Sequence, residues 1–159
     1  MKRVKGDLLA LAETGEFEAI VQGCNCFCTM GSGIAKQIRE QYPEAYKADC
    51  ATQAGDYNKL GTYTYTKAGS RQKRFYIINA YTQYDFNKFG QKQDHFEYVS
   101  FEMILQKLAF QMPHAHYGFP YIGMGLAGGD STRIIATLEA FHEKIAPHGG
   151  SVTLVEFAQ

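Results

Sequence analysis

The sequence predicts an α/β chain: a three-layer α/β/α sandwich with a mixed central sheet and helices on both faces. Three observations lead there. Short apolar runs of strand length alternate with segments whose apolar residues recur at helical spacing. Two of those runs end in a glycine-rich loop that opens a helix. Two further runs, residues 60–66 (LGTYTYT) and 74–82 (RFYIINAYT), alternate with period two and read as a hairpin or neighbouring strands, with Ala68, Gly69 and Ser70 in the polar connection.

In chain order, residues 2–6 are the first strand. Asp7 follows; it either caps the turn through Leu11 or sets a carboxylate at a pocket rim, ready to accept from a ligand amine. Residues 17–23 (FEAIVQG) read as a buried strand, and CNCFCTMGSG as the loop after it. Ile34, Ala35, Ile38 and Tyr42 then form a helical stripe. Pro43 interrupts it and starts a second short helix, proline being favoured at the first helical position. Beyond the two alternating strands, residues 84–93 are a polar and aromatic loop. Asp94 to Glu97 fits a capping box with Asp in the first place. The helix after it runs through Val99, Met103, Ile104 and Leu108 to about Phe110, and its Met and Phe stripe is expected in the core. His114 and His116 precede a buried strand whose end includes Phe119, Tyr121 and Ile122. Ile134, Ile135, Leu138, Phe141 and Ile145 mark the last helix, and residues 151–157 (SVTLVEF) the last strand. No repeat, low-complexity run or linker divides the 159 residues, so a single domain over 1–159 is expected.

The functional signal lies in the two glycine loops. In residues 118–135 (GFPYIGMGLAGGDSTRII), Gly123, Gly125, Gly128 and Gly129 let the backbone turn and approach a ligand closely. Asp130, Ser131 and Thr132 are good N-cap types, so helix N–H groups point back at the loop, a geometry that attracts phosphates. The first loop repeats the arrangement, with Asn25 just past its strand. In an α/β sheet that position faces the ligand crevice, where an amide serves sugar hydroxyls; alternatively Asn25 bonds its own loop. Asp130 likewise has two readings: a cap worth about 1 kcal/mol, or a carboxylate whose anionic neighbourhood raises its pKa and suits it to act as a base on water.

Other classes are excluded. Gly123, Gly125 and Gly128 match G-x-G-x-x-G, but the loop continues past the third glycine and a single strand remains downstream, so no dinucleotide-binding half can form. No Walker A sequence or G-x-S-x-G nucleophile is present. Net charge is +0, which argues against a nonspecific nucleic-acid binder; Lys2, Arg3 and Lys5 are too few to make a basic face. No apolar run approaches the ~18 residues of a membrane span, and no signal-peptide core opens the chain, so cytoplasmic residence is expected. Cys24, Cys26 and Cys28 stand in C-x-C-x-C spacing with no second ligand pair downstream. They are expected to line a tight loop, with neither metal nor cofactor.

These residues together resemble the macro domain family, the ADP-ribose-binding α/β/α fold. The resemblance covers nearly the whole chain: VKGDLL from Val4, VQGCNCFCTMGSGIAKQI with the YPEAYKAD after it, FYIINAYTQ, PYIGMGLAGGDS and the closing VEFA. Within the family the chain is most similar to the small ADP-ribose-1″-phosphate phosphatases and related deacylating ADP-ribosyl hydrolases, which share the CNC…GSGIA loop. The resemblance implies that Asp7 binds the adenine amine with Leu8 beside it, and that Asn25 holds the distal ribose. It implies that Gly31, Ser32, Gly33 and Ile34 wrap the distal ribose and diphosphate from one side. By the same resemblance Gly123, Met124, Gly125, Leu126, Ala127 and Gly128 would cradle the diphosphate from the other, Phe157 would stack on adenine, and Asp130 matches the acidic position that hydrolytic members use for catalysis. The chain departs from the family pattern at Gln22, where an asparagine is common, at Ala80, where some glycohydrolases carry a lysine nucleophile, and at Ser131, where an aromatic is frequent.

The implied function is ADP-ribose binding with hydrolysis of its derivatives at the distal ribose, first of all ADP-ribose-1″-phosphate. The alternatives are mono-ADP-ribosyl hydrolysis from protein or nucleic acid, and a non-catalytic reader. The expected partners are ADP-ribose or its 1″-phosphate and ADP-ribosylated macromolecules, with no membrane.

Overall fold

Strands Lys2–Gly6 (β1), Ala19–Cys24 (β2), Tyr63–Gly69 (β3), Arg74–Tyr81 (β4), His116–Phe119 (β5) and Ser151–Phe157 (β6) build one sheet in a computed structural model that describes residues 1–88, 90–91, 93–125 and 127–157. The strand order is β1-β6-β5-β2-β4-β3. All neighbours are parallel except β3, which runs antiparallel to β4. The sheet is therefore mixed, and the carboxyl ends of its five parallel strands share one edge. That edge is where an open α/β sheet forms its ligand crevice.

Helices Leu8–Glu13 (α1), Gly33–Gln41 (α2), Pro43–Cys50 (α3), Tyr98–Gln111 (α4) and Ser131–Ile145 (α5) make the outer layers. Strand β2 shows why both faces are covered: successive side chains point to opposite sides. Ala19 and Val21 pack with Ile104, Leu108, Leu138 and Phe141 under α4 and α5. Ile20 packs with Leu8, Ile38 and Phe75 under α1 and α2.

Several expectations are revised. Residues 8–13 form a helix rather than a turn; Asp7 caps it, accepting from Leu9 N at 3.0 Å and Ala10 N at 3.2 Å. Six residues are too few for a period to show in the sequence. The capping box at Asp94–Glu97 does not form. The Asp94 carboxylate instead accepts from Phe96 N, closing a turn, and α4 begins at Tyr98. The buried stripe of α4 is Phe101, Ile104, Leu105 and Leu108, whereas Phe110 is 88% exposed and Val99 and Met103 also face outward. The aliphatic and aromatic content of that segment exceeds what one face can bury. β5 stops at Phe119, so Tyr121 and Ile122 belong to the loop.

Candidate ligand-binding site

A crevice of about 620 Å³ opens at the carboxyl ends of β2 and β5, within the range of small-ligand pockets. Its two long walls are the loops after those strands.

The first wall runs from Asn25 into α2. Gly31, Ser32, Gly33 and Ile34 all line the crevice. Ser32 occupies the N-cap position of α2 with no side-chain cap bond. The first-turn N–H groups of that helix have no intrahelical acceptor, so they are left for whatever fills the crevice. The contrast with α1 and α5 is direct: both are capped by aspartates. Gly33 sits at φ +56°, and a side chain at Gly31 or Gly33 would project into open space.

The second wall is the loop from Pro120 to Gly129. The amides of Met124, Gly128 and Gly129 bond inside the loop, to Tyr121 O, Gly125 O and Gly123 O. Gly123, Gly125 and Ala127 line the crevice. Met124 and Gly128 belong to the loop but not to the lining, and Leu126 lies outside the described residues. A strap formed by residues 93–98 backs this loop. His95 N donates to Ala127 O at 2.9 Å, and the Phe96 ring fills the space a Cβ on Gly123 would need, at 2.3 Å.

Asn25 is nearly buried and satisfies its own loop. Its Oδ1 accepts from Phe27 N at 2.8 Å, and its Nδ2 donates to Thr29 Oγ1 at 2.7 Å. Asp130 caps α5, its Oδ1 accepting from Thr132 N at 3.0 Å and Arg133 N at 3.4 Å. Its side chain is exposed and outside the crevice lining. Leu8 is buried in the core under α1. Asp7 and Phe157 share the carboxyl edge of the sheet, Phe157 pairing with Gly6 across β6 and β1 and standing 60% exposed.

Sequence reading missed Gln83, Phe86 and Asn87, which line the far wall. Residues 79–83 (NAYTQ) read as a polar strand end able to enter a pocket, with Gln83 itself expected at the surface. Nothing marked Phe86, which is set by contacts distant in sequence: it meets Phe27 edge-on at 6.5 Å, and Phe27 meets Tyr84 at 4.9 Å. Asn87 accepts from Gln93 N at 3.0 Å and bonds His95 Nε2 at 2.9 Å, which ties the far wall to the strap.

Beneath the first loop lies a buried polar layer. Gln22 donates to Asn79, Asn79 to Thr64 Oγ1, and Tyr81 Oη to Asp49 Oδ1 at 2.8 Å. Lys59 Nζ reaches Cys26 O at 3.1 Å and sits over the Tyr81 ring at 4.7 Å. Burial raises the Asp49 carboxyl above its ordinary value, partly offset by the Tyr81 bond and by Lys59. Burial also pushes the Cys26 thiol up to about 11 and the Cys24 thiol well above its usual range. Among the described residues no group of three or more His, Cys, Asp or Glu is placed to hold a metal ion. No described helix is long and apolar enough to cross a membrane.

Comparison with known proteins agrees with this architecture. The model of the family described as Macro domain matches residues 21–137. An uncharacterised 17.5 kDa protein of Enterobacteria phage T4 is 33% identical over 150 residues, covering 91% of this chain and 92% of that protein. An ADP-ribose 1″-phosphate phosphatase of Aspergillus oryzae is 37% identical over 46 residues, 29% of this chain and 21% of that protein. Among solved structures, the macrodomain of Mycobacterium tuberculosis DarG superposes with a TM-score of 0.69 at 20% identity, covering 100% of this chain and 99% of that one. A Trypanosoma brucei macrodomain in complex with ADP-ribose superposes at 0.65 with 16% identity, covering 99% of this chain and 63% of that one. With the family model matching most of its length over a mixed sheet flanked by helices, the chain belongs to the macro domain family.

Proposed function

We propose that the crevice binds ADP-ribose and that the chain hydrolyses ADP-ribose derivatives at the distal ribose, with ADP-ribose-1″-phosphate as the leading substrate. The observation that carries the binding is the uncapped N-terminus of α2 facing a glycine loop across one crevice. Free N–H groups at the start of α2, opposite a wall where Gly123 and Gly125 let the backbone come close, suit a diphosphate. Family membership and the ADP-ribose complex of a structural neighbour support the same ligand. In this reading Gly31 to Ile34 and Gly123 to Gly128 hold the diphosphate, and Asn25 meets the distal ribose. Asp7 takes the adenine amine with Leu8 beside it, and the exposed ring of Phe157 stacks on adenine. Asp130 orients or deprotonates a water, which cleaves the monoester to ADP-ribose and inorganic phosphate. The local match to the Aspergillus oryzae phosphatase supports this reaction.

A specific observation favours the reader alternative: Asp130 already serves α5 as its cap and stands outside the crevice lining. Asp130→Asn separates the two, because asparagine caps as well as aspartate. As a catalyst, Asp130 predicts a loss of at least about 10²-fold in phosphate release, with calorimetric ADP-ribose affinity retained. Binding without turnover of the phosphate monoester, an ADP-ribosyl ester or ADP-ribosylated nucleic acid in either protein selects the reader.

A further inference from the structure

The chain's balanced charge hides a local imbalance. Residues 57–84 contain Lys59, Lys67, Arg71, Lys73 and Arg74 and no aspartate or glutamate. Lys59 is buried; the other four are exposed on the β3–β4 hairpin. None of the four takes part in an ion pair among the described residues.

The strand register sorts them. Lys67 pairs with Tyr76, Gly69 with Arg74, Tyr65 with Ile78 and Tyr63 with Ala80. Side chains directly opposite share a face, so Tyr63, Tyr65, Lys67, Arg74 and Tyr76 lie on one side of the sheet, the side that α4 and α5 cover elsewhere. Here Tyr65 stands at the surface, 60% exposed, on the half-buried rings of Tyr76 at 5.7 Å and Tyr63 at 6.5 Å. Lys67 Nζ stands over Tyr76 at 5.4 Å. The α4 flank adds a further cation, Lys107, whose Nζ bonds Gly61 O at 2.9 Å. Glu102 of α4 instead lines the groove toward α5, and Glu18, just before β2, turns its carboxylate to the amide of His116.

We propose that this hairpin face binds single-stranded nucleic acid, with Lys67, Arg71, Lys73 and Arg74 holding phosphates and Tyr65 stacking a base. Cations outside any described ion pair, beside the exposed Tyr65 ring on an open sheet, are what such strands use. A duplex offers no base face to Tyr65, and an acidic peptide has no use for the rings. Charges on an edge strand also discourage strand pairing, but that role does not require the aromatic row. The hairpin tip lies at the amino end of β4 and the crevice beyond its carboxyl end, so this surface stands apart from the proposed ADP-ribose site.

The test is fluorescence anisotropy of the whole chain with a labelled single strand of about 16 nucleotides, a duplex of equal length and a polyglutamate peptide. The single strand is expected to bind, and to weaken as salt rises from about 50 to about 200 mM. The double variant Lys67→Glu/Arg74→Glu is expected to lose at least about tenfold in affinity. Tyr65→Ala is expected to lose at least about fivefold. Neither variant shifts the thermal midpoint materially or changes ADP-ribose affinity, which keeps this surface distinct from the crevice. No binding at low salt, or binding indifferent to these substitutions, overturns the proposal. So does preference for the duplex or for the peptide, the latter reassigning the face to an acidic partner.

Discussion

The backbone N–H of Asp130 donates to the Tyr98 hydroxyl at 2.8 Å, while the Arg133 guanidinium lies over the same ring at 4.0 Å. Tyr98 thus joins the start of α4 to the start of α5 and fixes the end of the second glycine loop. Tyr98→Phe keeps the ring and removes the acceptor. We expect a loss of about 1 kcal/mol in chemical denaturation and a several-fold weaker ADP-ribose affinity by calorimetry, because the loop must then be ordered by the ligand.

Two glycines of the same loop separate folding from binding. Gly123 has φ +73°, and a Cβ added there would meet the Phe96 ring at 2.3 Å. Gly123→Ala combines a left-handed backbone with overpacking and should cost about 3 kcal/mol in stability. Gly125 has nothing within 4 Å of its absent Cβ and no positive φ. Gly125→Val should leave the thermal midpoint unchanged and reduce ADP-ribose affinity at least about tenfold, since the added methyls enter the crevice where backbone approach is needed.

What the sequence made legible was what local pattern controls. The strands, the two glycine loops and α2, α3 and α5 follow from periodicity, caps and Pro43, although β3 starts at Tyr63 rather than Leu60 and takes in Ala68 and Gly69, which the sequence assigns to the connection. The aspartates show the limit: Asp7 and Asp130 are N-cap residue types whether or not they also meet a ligand, and the structure shows both as caps. Helix α1 was too short to announce itself, and the start of α4 was displaced because Phe96 is drawn beneath Gly123 and bridges to Gln83. Phe86 and Asn87 were hidden for a related reason. Their place on the crevice wall depends on Phe27 and the strap, contacts that no window of sequence contains.

The His142 imidazole makes stability pH-dependent. Its Nδ1 accepts from Val152 N at 2.9 Å, and burial, followed by the charged N-terminus, holds its pKa below the ordinary value. A depressed histidine contributes fully above its unfolded value of about 6.5 and loses that contribution as pH falls through its folded value. Thermal melts from about pH 8 to about pH 5 should therefore show a steeper decline for the natural chain than for His142→Asn, which offers an amide oxygen in place of Nδ1.

The polar layer under the first loop gives an opposite pH signature. Asp49 has its carboxyl raised by burial, so its contribution is complete below the unfolded value and is lost as pH rises through the folded one. The Tyr81 hydroxyl, 2.8 Å away, opposes that rise. Tyr81→Phe should destabilise by about 2 kcal/mol at neutral pH, where the carboxylate loses its donor. The penalty should shrink in acid, where Asp49 is protonated; urea titrations at the two pH values measure the difference.

The most direct test is to follow backbone amide resonances during titration with ADP-ribose. Saturable shifts are expected for Gly33, Ile34 and Ala35 at the start of α2 and for Gly123, Gly125 and Ala127 across the crevice. The amide of Thr132, held by the Asp130 carboxylate, should move less. A titration to excess that leaves both walls unshifted would contradict the binding site.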